Sequence, residues 1–342
     1  MHRSRAACAC LAAVTLAVLS ALSACAKSPS APSNSSDSLL QGQAVSALDG
    51  SAEAGVQVQV GPAYAVTTDG NGFFQADVGG PGTYPARVTG GAIVERRTSV
   101  NGPSGDRIRL SLIPATFDLA AFDQLARSNN ARLQRWTTQP ALVVVATTMT
   151  FASTGTNFAA TAEQMTDPEV DQLVAHMTEG LTLLTGGTYT RYVTVDVERP
   201  QAGEHVEAAR GGKIVVGRYT GVSAGPFGST FETIGYGIWQ EQPDGRITGG
   251  SIFLDRNFDH DDARRRLLRI HELGHALGYL HVTTRPSIMN PSIGPEPSDF
   301  DRVAPGIVFQ RPPGNSSPDT DPGAVAHGLS DRAGGRWVGP IP

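Results

Sequence analysis

Positions 271–281 carry the string HELGHALGYLH, whose spacing suits a metal site. On a helix, His271 and His275 would share one face, where both imidazoles could reach one ion. Glu272 would lie about 100° further round the helix, which places it for general-base chemistry on a water molecule beside the metal. Gly278 would let the chain leave the helix through a positive φ and return His281 as a third ligand. Because three protein ligands leave a coordination position open, we predict catalytic Zn²⁺ rather than structural zinc.

A second motif, Ser287-Ile288-Met289-Asn290-Pro291, follows the third histidine. The two motifs together resemble the metzincin zinc peptidases, and over roughly 141–309 the chain is most similar to their matrixin branch. That resemblance implies that the zinc ligands are His271, His275 and His281. It also implies that Glu272 acts as the base and that Met289 forms an apolar floor beneath the metal. Val282 stands where matrixins usually have serine, which leaves the subfamily open.

Helices and strands alternate between residues 115 and 310, with five predicted strands. The resemblance implies that this part is an α+β metzincin-like domain with a five-stranded mixed sheet. Asp118 is predicted to start a first helix, and Asp167 to cap a second that ends at Gly186-Gly187. Strands are predicted at 142–147, 192–197, 213–219, 234–240 and 250–255. The resemblance implies a strand beside the cleft that pairs with extended substrate, and 234–240 is the candidate.

Residues 39–114 show short β-rich stretches divided by turn dipeptides such as Asp69-Gly70 and Asn71-Gly72. This pattern predicts a small antiparallel β-sandwich. The turns, with Pro81-Gly82-Thr83-Tyr84, resemble the carboxypeptidase regulatory-like, transthyretin-like family. The sandwich could be a removable prodomain or a spacer, and the sequence leaves both open.

The chain begins with a short positive segment and an uncharged apolar stretch that ends at Cys25. This pattern predicts a signal peptide at 1–24, and Leu22-Ser23-Ala24-Cys25 resembles the lipobox of bacterial lipoproteins. Cys25 would carry the lipid and hold the protein at a membrane of the bacterial cell envelope, outside the cytoplasm. The alternative is an uncleaved membrane anchor. Residues 25–38 are a predicted disordered tether, and 311–342 a Pro/Gly-rich tail that we expect to be irregular.

Charge and cysteine content narrow the function further. A net charge of -5 over 342 residues gives no basic field, so nucleic-acid binding is not expected. All 3 cysteines lie in the first 25 residues, so a metal site in the body must use histidines and carboxylates. An acidic cluster could hold Ca²⁺, or could be a solvated loop that favours a helix N-terminus; it comprises Asp255, Asp259, Asp261 and Asp262. His176 is interpreted as an ordinary histidine, and Asp299 and Asp301 as caps of a short helix that ends at Pro305.

The leading hypothesis is a lipid-anchored zinc endopeptidase of metzincin type, whose partners are protein or peptide substrates. A narrower version acts on one partner or on its own chain. The alternative is a surface binding or adhesion lipoprotein in which the sandwich acts and the zinc domain is vestigial. The presence of Glu272 favours the enzyme, because a vestigial site tends to lose its base before its fold.

Overall fold

The computed structural model describes residues 38–61, 65–103, 105–129, 131–151, 158–220, 233–324 and 336–338. The predicted signal segment, Cys25 and the tether up to residue 37 lie outside the described residues. The strands are β1 (Leu39–Ser46), β2 (Gln57–Val60), β3 (Val66–Thr67), β4 (Phe73–Asp77), β5 (Gly82–Thr89), β6 (Arg96–Gly102), β7 (Ile108–Leu112), β8 (Arg135–Trp136), β9 (Ala141–Phe151), β10 (Phe158–Gln164), β11 (Val195–Glu198), β12 (His205–Val206), β13 (Lys213–Tyr219), β14 (Gly235–Glu241), β15 (Arg246–Asp255) and β16 (Arg336–Val338). The helices are α1 (Leu119–Ala126), α2 (Asp167–Leu184), α3 (Arg256–Asp261), α4 (Arg265–Ala276) and α5 (Asp299–Phe309). The chain is a mixed α/β protein with several sheets.

The strands before α1 form two small sheets around an apolar core of their own. One sheet has the order β4-β1-β7 and the other β3-β2-β5-β6. Alternation buries Val58 and Val60 of β2 and exposes their neighbours, which is the pattern of a strand with one face on a core. The antiparallel prediction is wrong for one pair, because β1 and β7 run parallel, with Gly42 opposite Ile108. Parallel strands need a long connection, and here β2–β6 supply it.

The third sheet is the largest and has the order β12-β10-β9-β13-β15-β14-β16, with β11 on β9 and β8 on β15. The prediction of five strands is wrong, because the described residues place nine strands in this sheet. Three of the four additional strands, β8, β12 and β16, have only two or three residues, too few to give a periodic pattern in the sequence. The strands β9, β11, β13 and β15 run parallel to their neighbours within that group, and β14 pairs antiparallel with β15. The predicted strand at 213–219 coincides with β13. The strand predicted at 250–255 is observed as β15, which begins four residues before the predicted start, at Arg246. The strand β10, which forms an antiparallel pair with β9 before α2, was not predicted.

The helix starts follow capping chemistry. Asp118 caps α1, as predicted, by accepting a hydrogen bond from the backbone N–H of Ala121 at 3.0 Å. For α2 the predicted cap was one residue late, since Thr166 is the N-cap. The Thr166 backbone N–H donates to the Glu169 carboxylate at 2.8 Å, as in a capping box. Both helices pack into the main apolar core beside α4.

The last helix does not end at Pro305, contrary to the prediction. It continues to Phe309, with Pro305 inside it. The proline removes one backbone donor, but Ile307 and Val308 beyond it are fully buried. Burial of these two side chains stabilises the final turn by about 1.5–3 kcal/mol each, enough to offset a lost hydrogen bond.

Part of the tail is fixed by buried charges. Asp319 is fully buried and accepts from Arg96 of β6 at 2.9 Å and from Arg311 at 2.7 Å. Asp321 accepts from Arg96 at 2.8 Å and from Asn315 at 2.7 Å. The tail was expected to be irregular, yet these ion pairs join it to the sandwich, and Arg336–Val338 form a strand on the large sheet.

Candidate metal centre

The helix α4 carries three of the four predicted site residues. His271 and His275 lie one turn apart on it, and Glu272 follows the first of them. All three side chains are buried, with exposed fractions of 6%, 1% and 4% respectively. The buried face of α4 therefore carries polar groups, which need hydrogen-bond partners or a bound ligand.

A tight turn after α4 returns the third histidine. Gly278 has a φ of 99°, which favours glycine, and a Cβ there would lie 2.6 Å from Ile247 Cδ1. Beyond the turn, the Leu280 N–H donates to the carbonyl of Leu125 in α1 at 2.9 Å. This contact fixes the segment that carries His281, so the helix predicted at Asp118 helps to position the site.

The three histidines converge as predicted. Their nitrogen atoms that could bind a metal all lie within 4.8 Å of one another. The Nε2 atoms of His271 and His275 are 3.1 Å apart, and the ring of His281 is centred 5.3 Å and 4.9 Å from the other two rings. Among the described residues, this trio is the one group of histidine, cysteine and acidic side chains close enough to share a metal ion.

Backbone carbonyls set the tautomers of two of these rings. His271 Nδ1 lies 2.7 Å from the carbonyl oxygen of Ile288, and His275 Nδ1 lies 2.8 Å from that of Tyr279. Because a carbonyl oxygen only accepts, each Nδ1 must carry the proton and donate it. Each Nε2 is then left with a lone pair directed to the common centre, which is the usual arrangement around a metal.

Burial also keeps the imidazoles uncharged. It lowers the pKa of His271 to about 4 and holds the pKa of His275 well below the ordinary 6.5. The pKa of His281 is lowered for the same reason. Neutral rings are the form that binds a metal, so near neutral pH the trio needs no deprotonation before it can act as a ligand set.

Glu272 has the surroundings of a reactive carboxyl group. Burial raises its pKa to about 8, although a hydrogen bond from the backbone N–H of Gly237 opposes the shift. Its Oε2 atom has no hydrogen-bond partner among the described residues. A buried carboxyl oxygen without a partner is costly, and such groups are concentrated at functional sites.

The Met289 segment packs against α4, the helix that carries two of the three histidines. Met289 is fully buried, and a Cβ on Gly274 of α4 would lie 2.4 Å from its sulfur. Asn290 closes the turn, because its Nδ2 donates to the carbonyl of Val282 at 2.6 Å and its Oδ1 accepts from the Ser287 N–H at 3.1 Å. The turn thus ties the chain after His281 back to the helix.

Asp301 was predicted only to cap a helix, and the structure gives it a second role. Its carboxylate accepts from the Ser287 hydroxyl at 2.5 Å and from the Ile288 N–H at 3.0 Å. Since the Ile288 carbonyl accepts from His271, Asp301 supports a candidate ligand through one intervening residue, Ile288. The Ser298-x-x-Asp301 pattern signals the cap in the sequence, but the second contact depends on tertiary packing.

The four members of the acidic cluster do not converge on a common point among the described residues. Asp259 is fully buried and accepts from Arg269 at 2.6 Å and from Arg218 at 2.9 Å. The other three carboxylates cap a helix or pair with neighbours: Asp255 with the Phe258 N–H, Asp261 with His260 and Asp262 with Arg264. Every member of the cluster therefore has another partner. His176 lies beside the same network, with Nδ1 3.2 Å from Arg269.

The candidate substrate strand, predicted at 234–240, is observed as β14. Gly237 is packed so closely on α4 that a Cβ would lie 2.2 Å from the Glu272 carbonyl oxygen. The strand is not an open edge throughout, because β16 pairs with its last three residues. Glycine weakens a strand by propensity, but here Gly235 and Gly237 allow β14 to approach the helix closely.

No protein-family model and no curated protein matches the chain. No helix in the described part of the chain has the length and apolar character needed to cross a membrane. The function proposed below therefore depends on the motif and the geometry of this site.

Proposed function

We propose that the chain is a zinc-dependent endopeptidase of metzincin, matrixin-like type that hydrolyses peptide bonds of extracytoplasmic proteins. The observation that carries the proposal is the convergence of three neutral imidazoles beside the unpartnered Oε2 of Glu272. Attachment to a bacterial membrane through lipidated Cys25 belongs to the proposal on the strength of the sequence alone.

The donor set fits zinc. His271, His275 and His281 supply nitrogen ligands, and the described residues place no fourth histidine or carboxylate within their group. Three ligands correspond to a catalytic site with an open position, whereas structural zinc sites have four. When bound, zinc supplies Lewis-acid chemistry, which lowers the pKa of water and polarises a carbonyl group.

Glu272 is the proton carrier of the proposed reaction. A zinc ion held by the three neutral imidazoles would favour the ionised form of Glu272, and so would oppose the effect of burial on its pKa. Its Oε2 accepts a proton from water as the water oxygen bonds to the scissile carbonyl carbon. The same oxygen then delivers that proton to the leaving nitrogen as the C–N bond breaks. The Gly237 N–H holds the carboxyl group in place during both transfers.

The test measures zinc content and casein cleavage for the purified chain and for Glu272→Gln. We expect one zinc per chain in both proteins and a cleavage rate about 10²–10⁴-fold lower in the variant, the usual contribution of general acid–base catalysis. Glu207→Gln, which alters an exposed residue, serves as the matched control and should retain full activity. Absence of zinc would refute the site. Zinc without cleavage by the wild-type chain would favour the binding-protein alternative.

A further inference from the structure

The strand β14 crosses the helix that carries the candidate ligands and base. A Cβ on Gly235 would lie 2.5 Å from Glu272 Oε1, and one on Gly237 would lie 2.7 Å from His275 Cβ. The N-terminal half of β14 is therefore in contact with the reactive side chains of α4. A polypeptide paired with the outer edge of this strand would be held beside them.

Residues of the tail already pair with that outer edge. The inner edge of β14 is hydrogen-bonded to β15, and β16 pairs with the opposite edge in antiparallel orientation. Val338 lies opposite Trp239, and Arg336 lies opposite Glu241. Because the strands are antiparallel, residues 336–338 run along β14 in the direction from its Glu241 end towards its Gly235 end. The tail strand, Arg336–Val338, thus runs in the direction that leads to Glu272.

The preceding part of the tail is anchored close to the fold. Arg311 and Asp319 are fully buried and paired with each other, and Asp321 is bound to Arg96. Only residues 325–335 separate the described anchor from the tail strand. A ligand linked through so short a connection has a high effective concentration at its site, so even a three-residue pairing can be well populated.

We propose that the tail strand Arg336–Val338 is an internal ligand of β14 that competes with substrate and so restrains the peptidase. The inference rests on the proposed function, since it takes β14 as the substrate strand. A pairing of three residues is small enough for a substrate that contacts more of β14 to displace it. The inhibition is therefore reversible, and activation does not require removal of the sandwich as a prodomain.

The experiment compares three forms of the chain. The first is wild type. The second carries Arg336→Gly, Trp337→Ser and Val338→Gly, which keeps the length of the tail and removes the side chains and strand preference of the tail strand. The control carries the same kinds of change outside the tail strand, at Ser330→Gly, Asp331→Ser and Arg332→Gly. For each form we would measure zinc content, kinetics on fluorescein-labelled casein, and amide hydrogen exchange at residues 239–241.

We expect the tail-strand variant to show a KM lower by about tenfold with kcat unchanged, because an internal ligand that leaves about one-tenth of the sites free raises the apparent KM by that factor. Its amides at 239–241 should exchange faster, and the peptide Arg-Trp-Val-Gly-Pro-Ile-Pro should inhibit it competitively. The control should behave as wild type. Zinc binding and cleavage with equal KM in all three forms would overturn the internal-ligand inference and leave the proposed function intact. Absence of zinc and of cleavage in all forms would refute the proposed function and the inference together.

Discussion

Replacement of Asp301 by alanine tests whether the contacts of Asp301 with the Met289 segment position His271 for metal binding. Asp301 is only 2% exposed, and its carboxylate accepts hydrogen bonds from the Ser287 hydroxyl and the Ile288 N–H, which are both buried. Removal of the carboxylate orphans these two donors, and each unsatisfied buried donor costs about 1–3 kcal/mol. We therefore expect the free energy of unfolding to fall by about 2–6 kcal/mol.

The effect on the metal separates a positioning role from a purely structural one. Loss of the Ile288 contact frees the carbonyl that orients His271, and changes in such supporting contacts typically lower metal affinity by about 10–100-fold. The assay is chemical denaturation together with zinc competition against a chelator. Asp299→Ala is the matched control, because Asp299 lies in the first turn of the same helix but is exposed. If Asp301→Ala and Asp299→Ala have equal stability and equal zinc affinity, the reasoning is refuted.

Three further predictions follow from packing and charge. Gly237→Ala should lower the free energy of unfolding by about 1–3 kcal/mol, because its Cβ would lie 2.2 Å from the Glu272 carbonyl oxygen, whereas Gly211→Ala, with open space around it, should not. Burial opposes ionisation of Asp259, but the hydrogen bonds and charges of Arg269 and Arg218 keep its pKa below the ordinary 3.8. The lowered pKa stabilises the folded protein above the unfolded-state pKa, and this stability is lost as the pH falls through the folded-state pKa. The free energy of unfolding of Asp259→Asn should therefore depend less on pH below about 4 than that of the wild type. Calorimetry of zinc binding at pH 6 in buffers of different ionisation enthalpy should show that Glu272→Gln releases fewer protons than the roughly two that three ordinary histidines would release, because burial lowers the pKa of each imidazole.

Local chemistry made much of the site predictable from the sequence. The spacing of His271 and His275 on a helix, and a glycine where the chain turns with positive φ, need only a few adjacent residues. The strand β13 was predicted to the residue because its β-branched run is bounded by polar and glycine residues. These features depend on backbone preferences that act within about two turns or one strand.

Features that depend on distant partners were not predicted. The tail strand and β14 are nearly a hundred positions apart in the chain, and nothing in either segment specifies the other. The second role of Asp301 and the buried pairing of Asp259 depend in the same way on packing between elements. At Pro305 the local sequence gave the wrong prediction. The proline indicated a helix end, but the helix continues because the residues after it are buried in the core.

The contacts of the sandwich argue against its removal as a prodomain. A removable segment must leave behind a surface that water can hydrate, and here Arg96 of the sandwich is paired with the buried carboxylates of Asp319 and Asp321. Breaking such a buried ion pair costs about 3–5 kcal/mol, because a charge is left without its partner. Ala47 and Ile113, at the end of the sandwich, also belong to the same apolar cluster as the residues of α4. The sandwich is therefore better understood as a permanent part of the fold that anchors the tail, and restraint of the proposed activity falls to the tail strand on β14.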